Sequence, residues 1–237
     1  MKATNTAYKF DDSLLRIDEI LNSDSSYEEL KSIPTRDKLT FTNGFYVNCT
    51  AIFVDICDSS ELTSFHERPV LAKIYRSFIS EMVALFNGFE QCREISINGD
   101  CVWCIFDSPY KPDICSAFDA AAAANALINV LNYKLQKKGY QTYDATIGMD
   151  YGRALMQKAG YKGSQINDVI WMGDVVNSAS HLCNENRGLF GKRIFLSKII
   201  YNNLSDNYKS LCNLFSNGIY HSDAINVEIN KWLKERK

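Results

Sequence analysis

With 237 residues, 46% of them apolar and 23% charged, the chain has material for one soluble domain with a sizeable core. Its net charge of −2 excludes a global pull toward nucleic acid or an anionic membrane surface, so a polyanionic ligand must be held by local groups or by metal. No apolar run approaches the ~20 residues that cross a bilayer, and the opening MKATNTAYKFDDSLLRIDEI has neither an apolar h-region nor a small-residue cleavage site, so a cytoplasmic protein is expected.

Residues 1–44 are polar and mixed. Helical spacing over Ser13–Leu21 and again over Ser26–Ser32, then Pro34 and Asn43-Gly44, predict an N-terminal extension with two short helices. Val47–Ile56 (VNCTAIFVDI) is apolar and β-branched and predicts a strand. Arg68-Pro69 opens a helix whose apolar positions run from Val70 through Ile74, Phe78 and Met82 to Leu85, and Gly88 ends it. Cys92–Ile97 and Cys101–Phe106 flank Asn98-Gly99-Asp100, the strongest short hairpin signal in the chain.

An Ala-rich helix is predicted from about Pro112 to Lys138. Thr142–Tyr151 and Asp168–Met172 read as strands, with a basic loop over Arg153–Lys162 between them. A helix over Gly173–Asn186, a strand over Arg193–Leu196 and a helix over Ser197–Leu204 follow, and the tail beyond Asp206 is weakly patterned. The order β-α-β-β-α-β predicts an α+β, ferredoxin-like split βαβ fold. Residues 45–205 form the expected domain, 1–44 its extension, and 206–237 the C-terminal strands and helix that complete it.

The eight cysteines are scattered, and only Cys101 and Cys104 have C-x-x-C spacing. No second pair completes a zinc site, and residues three apart on a strand point to opposite faces, so reduced core cysteines are expected. Gly188-Leu-Phe-Gly191-Lys192 is too short for a P-loop, and KWLKERK reads as a solvated helix face.

The chemistry centres on two aspartates. Asp55 ends the first predicted strand, and Asp100 sits at the hairpin tip. In a split βαβ sheet that strand lies beside the hairpin, so the two carboxylates can converge as hard oxygen ligands for Mg²⁺ or Mn²⁺. Singly, Asp55 also reads as a helix cap and Asp100 as a turn residue.

FVDICDSSEL, a hairpin ending in NGD, and WMGDVVNSAS, in that order, resemble the motifs of class III adenylate and guanylate cyclases over roughly Tyr46 to Phe195. The first resembles D-I-x-G-F-T, with Asp58-Ser59-Ser60 in place of G-F-T. The resemblance implies that Asp55 and the Ile56 carbonyl bind metal, and that the backbone N–H groups of Cys57, Asp58, Ser59 and Ser60 cradle a triphosphate. It implies that Asp100 is the second metal carboxylate and that Asn177 orients the ribose. It further implies two divalent ions, Mn²⁺ or Mg²⁺, a nucleoside triphosphate substrate, and a homodimer with its sites at the subunit interface.

The departures from the family pattern narrow the reading. The purine-reading positions hold Ser96, where the family has Lys or Glu, and Ile170, where it has Asp, Thr or Cys. His181 stands where the family has its transition-state Arg, and lacks the bidentate fork. The family's late triphosphate Lys has no clear match, and Lys192, Arg193 and Lys231 are its candidate substitutes. This non-purine pattern, with IPTRDKLTFTNGFYVNCTAIFVDI and DYGRALMQKAGYKGSQINDVIWMGDVVN, resembles the pyrimidine cyclases of Pycsar antiphage defence. That implies cUMP or cCMP made from UTP or CTP with release of pyrophosphate, acting on a separate cyclic-nucleotide effector, with no nucleic-acid or membrane partner. Two alternatives are a purine cyclase with a rewired pocket and an inactive cyclase-like nucleotide-binding module. Retention of Asp55, Asp100 and Asn177 speaks against the second.

Overall fold

The apolar run read as the first strand extends over Asn43–Ile56 and organises the sheet. A computed structural model describes residues 2–188 and 191–236, so Leu189 and Phe190 of the stretch weighed as a P-loop lie outside the described residues. In chain order the elements are α1 (Phe10–Leu21), β1 (Ser26–Glu29), a 3-10 turn (Arg36–Lys38), β2 (Asn43–Ile56), α2 (Ser59–Phe65) and α3 (Arg68–Asn87). Then come β3 (Cys92–Asn98), β4 (Cys101–Asp107), α4 (Lys111–Gln136), β5 (Ala145–Tyr161), β6 (Ile166–Met172) and α5 (Asp174–Glu185). The chain closes with β7 (Ile194–Ser197), α6 (Lys198–Asn203), α7 (Asp206–Lys209), β8 (Cys212–Ser216), β9 (Ile219–Ser222) and α8 (Val227–Lys234).

The sheet order is β3-β4-β2-β5-β7-β9-β8, with β1 added to β2 and β6 to β5. Its first four strands have the split βαβ order expected from sequence. β2 is antiparallel to β4 on one side and to β5 on the other, and both of its faces are buried. Ile52, Val54 and Ile56 point into a core with Phe78 and Phe86 of α3 and the fully buried alanines of α4. Val47, Cys49, Ala51 and Phe53 point the other way, toward Val175, Ala179 and Cys183 of α5. Small residues on α4 let it lie close to the sheet, and each large side chain buried there contributes roughly 1.5–3 kcal/mol. By length and composition α4 also passes as a bilayer-crossing helix, yet 72% of its apolar window is buried inside the protein.

α5 sits unusually close to the sheet. At Gly148 on β5 a Cβ would run into the Ala179 carbonyl and the Cys183 amide, so only glycine admits the helix there. All eight cysteines are free, and Cys101 and Cys104 lie on opposite faces, as their spacing predicts.

Three stretches differ from the sequence reading. Ser26–Ser32 is not helical; Ser26–Glu29 pairs parallel to Asn43–Tyr46 as an exposed strand. Arg153–Lys162 is not a loop, because β5 continues to Tyr161 and pairs with β6 as a long arm. Its alternate residues Ala154 and Met156 are buried, which supplies the strand signal that the charges masked. The seven-residue helix α2 was not anticipated. α1 lies along the arm, with Lys162 Nζ 2.7 Å from Glu19 and the Arg16 guanidinium 4.9 Å from the Tyr161 ring.

Candidate active site

Asp55 enters the site as the penultimate residue of β2, opposite Cys101 on β4 and Thr146 on β5. It is 5% exposed. Asp100 follows Gly99, whose φ of 63° makes the turn between β3 and β4, and lies one residue before Asp55's cross-strand neighbour. Strand pairing alone therefore carries both carboxylates to the same end of the sheet.

A buried carboxylate is costly unless a partner compensates it. Here Arg187 Nη2 donates to Asp55 Oδ2, and the same nitrogen donates to Asn184 Oδ1 at 2.7 Å. A buried carboxylate with a second carboxylate at the same end of the sheet fits a hard divalent ion. Among the described residues no cluster of three or more acidic, His or Cys side chains forms a closed cage. Phosphate oxygens and water would have to complete the coordination, which suits Mg²⁺ and Mn²⁺. The nearby thiols are poor competitors as ligands. Burial pushes the Cys57 and Cys183 thiols up, and the Cys101 thiol up to about 12.

Past Ile56 the chain turns tightly into α2. The Cys57 amide is committed to the Asp144 carbonyl at 2.8 Å, and its Sγ lies 3.1 Å from Thr146 Oγ1, so the expected cradle loses its first amide. Asp58 adopts φ 50°, and Ser59 and Ser60 open α2, whose first-turn N–H groups have no carbonyl within the helix.

The reader positions lie on β3 and β6. Ser96 is cross-strand to Trp103, which stacks on Phe53 with ring centroids 5.2 Å apart. Ile170 is 37% exposed and pairs with Gln157. Arg36 joins the two strands. Its guanidinium is hydrogen-bonded to the buried Glu94 on β3 and reaches Asp168 Oδ1 on β6 at 3.1 Å. Glu94 and Ser96 are two apart on one strand, and Asp168 and Ile170 two apart on the other, so each reader shares a face with one end of the bridge. The Glu94 hydrogen bond holds the Arg36 guanidinium above its ordinary value.

Asn177 is exposed in the first turns of α5. His181, one turn on, is exposed with Nδ1 3.1 Å from Glu185 Oε1. Asp55 meets the chain just beyond the other end of this helix, at Arg187. At 1.5 Å of rise per residue, about 12 Å of helix separates Asn177 from Glu185, the last residue of α5, and Arg187 lies two residues further on. Arg187 rather than His181 reaches the Asp55 carboxylate. Of the three stand-in cations, Arg193 is tied to Asp144, to Asn129 Oδ1 at 2.7 Å and to Asn125 Oδ1 at 3.2 Å. Lys192 Nζ lies 5.0 Å from the centre of the Phe215 ring, and Lys231 is on α8. Arg36, Glu94, Trp103, Asp168 and Arg187 were missed in the sequence because their partners are distant in the chain.

The model of the adenylate and guanylate cyclase catalytic domain matches residues 42–221. The chain belongs to that family. It is 40% identical to a protein named uridylate cyclase from Gulbenkiania mobilis, over the whole of both chains. It is 35% identical to another of that name from Treponema porcinum, over 96% of this chain and 82% of that one. Among solved structures it is similar to the adenylyl cyclase CyaB of P. aeruginosa, with a TM-score of 0.64 and 21% identity over 76% of this chain and 95% of that one. As a member of this family it is a nucleotide cyclase with a class III catalytic fold, and the strand end bearing Asp55 and Asp100 is its candidate centre.

Proposed function

We propose that this chain is a pyrimidine nucleotide cyclase that converts UTP to 3′,5′-cyclic UMP and pyrophosphate, with CTP as the competing substrate. The observation that carries the reading is Ser96 with Ile170 at the two base-reading positions, in a chain related end to end to proteins named uridylate cyclase. Uracil presents N3–H and O4 on its pairing edge, and one serine hydroxyl can accept from the first or donate to the second. Ile170 offers a purine no polar partner.

Asp55, Asp100 and the Ile56 carbonyl would hold two divalent ions, Mn²⁺ or Mg²⁺. When bound, these supply Lewis acidity that lowers the pKa of the ribose 3′-OH and offsets charge on the leaving pyrophosphate. The chain's own part is positioning. The amides of Asp58, Ser59 and Ser60 face the triphosphate, Asn177 holds the ribose for in-line attack, and Ser96 sets the base.

By the family resemblance, the site takes its metal carboxylates from one subunit and its readers and Asn177 from the other. A homodimer then carries two equivalent sites. Residues 45–205 form the catalytic domain, 1–44 an N-terminal extension and 206–237 its completion, in which β8 and β9 extend the sheet beyond β7. The protein works in the cytoplasm, in antiphage defence, and its product acts on a separate effector.

The test is incubation of purified protein with each of the four nucleoside triphosphates and Mn²⁺, with products read by mass spectrometry. UTP or CTP should exceed ATP and GTP by at least about tenfold, ~1.4 kcal/mol of differential transition-state binding. Comparable turnover of ATP would remove the pyrimidine reading.

A further inference from the structure

One feature of the centre is not accounted for by cyclisation: a cation of the chain itself sits on Asp55. Asn186, buried at the end of α5, donates from Nδ2 to the Leu182 carbonyl at 2.8 Å and fixes the turn from which Arg187 projects. Arg187 Nη2 then lies between Asp55 Oδ2 and Asn184 Oδ1. The Asp55 side chain is 7% exposed and that of Arg187 41%, so the carboxylate is enclosed while the guanidinium has a route to solvent.

We propose that Arg187 is the resting counter-charge of Asp55, that a divalent ion takes this carboxylate by displacing it, and that Arg187 thereby sets the metal affinity of the site. This rests on the assignment of Asp55 as a metal ligand. An ion arriving at Asp55 meets a positive guanidinium already hydrogen-bonded to one carboxylate oxygen. Either the guanidinium leaves, giving up a charge-assisted hydrogen bond, or two like charges share one enclosed carboxylate. Both routes weaken metal binding. Asn184 holds the displaced group near the centre, because it accepts from the same nitrogen.

The experiment is a Mn²⁺ titration of the full chain after EDTA treatment, followed by loss of the free-ion EPR signal, with melting measured in parallel. Arg187→Gln should bind Mn²⁺ about tenfold more tightly than wild type. Without metal it should melt lower, since Asp55 is left buried and unpaired, and Mn²⁺ should raise its Tm by more than it raises that of wild type. Arg187→Lys, which keeps the charge without the fork, should fall between the two. Folded Arg187→Gln that binds Mn²⁺ no more tightly than wild type overturns the inference. If Arg187→Gln does not fold, Arg187→Lys decides by the same criterion. Asp55→Asn in the same titration separates the two claims. If it binds as well as wild type, the metal assignment falls. If it loses binding while the Arg187 variants do not tighten, only the counter-charge role falls.

Discussion

The strand end bearing Asp55 and Asp100 and the strands bearing Ser96 and Ile170 are held in different ways. Asp55 and Asp100 are placed by continuous antiparallel pairing of β2, β4 and β5, close to where β3 turns into β4. Ser96 and Ile170 lie on strands that are not neighbours in the sheet, and Arg36 bridges them through Glu94 and Asp168. Backbone ladders leave few alternatives, because a one-residue slip would turn every side chain to the wrong face. A guanidinium bridge with its Asp168 contact half exposed is weaker, worth roughly 0–1 kcal/mol at that end. On the proposed reading, chemistry is anchored where strand pairing is continuous, and specificity where side-chain changes can retune it.

Four tests sharpen that contrast. The largest effect belongs to the rigid region. Asp55→Asn or Asp100→Asn should lower UTP cyclisation by at least about a thousandfold, with circular dichroism unchanged, since each removes a charge from a centre with two carboxylates. Near-normal turnover by either folded variant removes the metal assignment. Next, Asn177→Ala should cost about a hundredfold in kcat with little change in KM, the pattern of a lost transition-state contact. A change confined to KM contradicts that role.

The proposed reader positions should respond in kind rather than in amount. Ser96→Lys combined with Ile170→Asp places the family's ATP-reading pair on this scaffold, and the ratio of ATP to UTP kcat/KM should rise by at least about tenfold. An unchanged ratio means these positions do not read the base. The smallest effect is that of Arg36→Ala. It leaves the buried Glu94 without its cation, at a cost of about 1–2 kcal/mol, and should lower Tm by roughly 2–6 °C while raising the KM for UTP severalfold. Loss of kcat as large as that of Asn177→Ala would erase the distinction between the two regions.

The rigid region was the legible one. β2 is a near-continuous apolar run, Asn98-Gly99 marks the hairpin, and Pro69 with Gly88 brackets α3, so local chemistry alone locates Asp55 and Asp100. β1 was invisible because Ser-Tyr-Glu-Glu is exposed throughout and has no apolar alternation; its strand state comes from docking on β2. The β5 arm was masked by Arg153, Lys158 and Lys162, whose charges read as a loop although Ala154 and Met156 keep a period of two. Arg36 and Arg187 carry no local signal. Their carboxylates lie 58 and 132 residues away, and only the folded sheet brings them together. For the same reason His181 drew attention by its place in a motif, whereas Arg187 lies outside every motif.

The central claim is that the carboxylates and the reader positions serving one substrate belong to different chains, and co-expression of two nearly inactive variants tests it most directly. Asp55→Asn paired with Asn177→Ala gives mixed dimers in which one site carries both lesions and the other carries neither. Activity should return to roughly a quarter of wild type, since about half the dimers are mixed and each has one intact site of two. Mixed dimers recovered by a two-tag pull-down that remain as inactive as either parent would contradict the shared site.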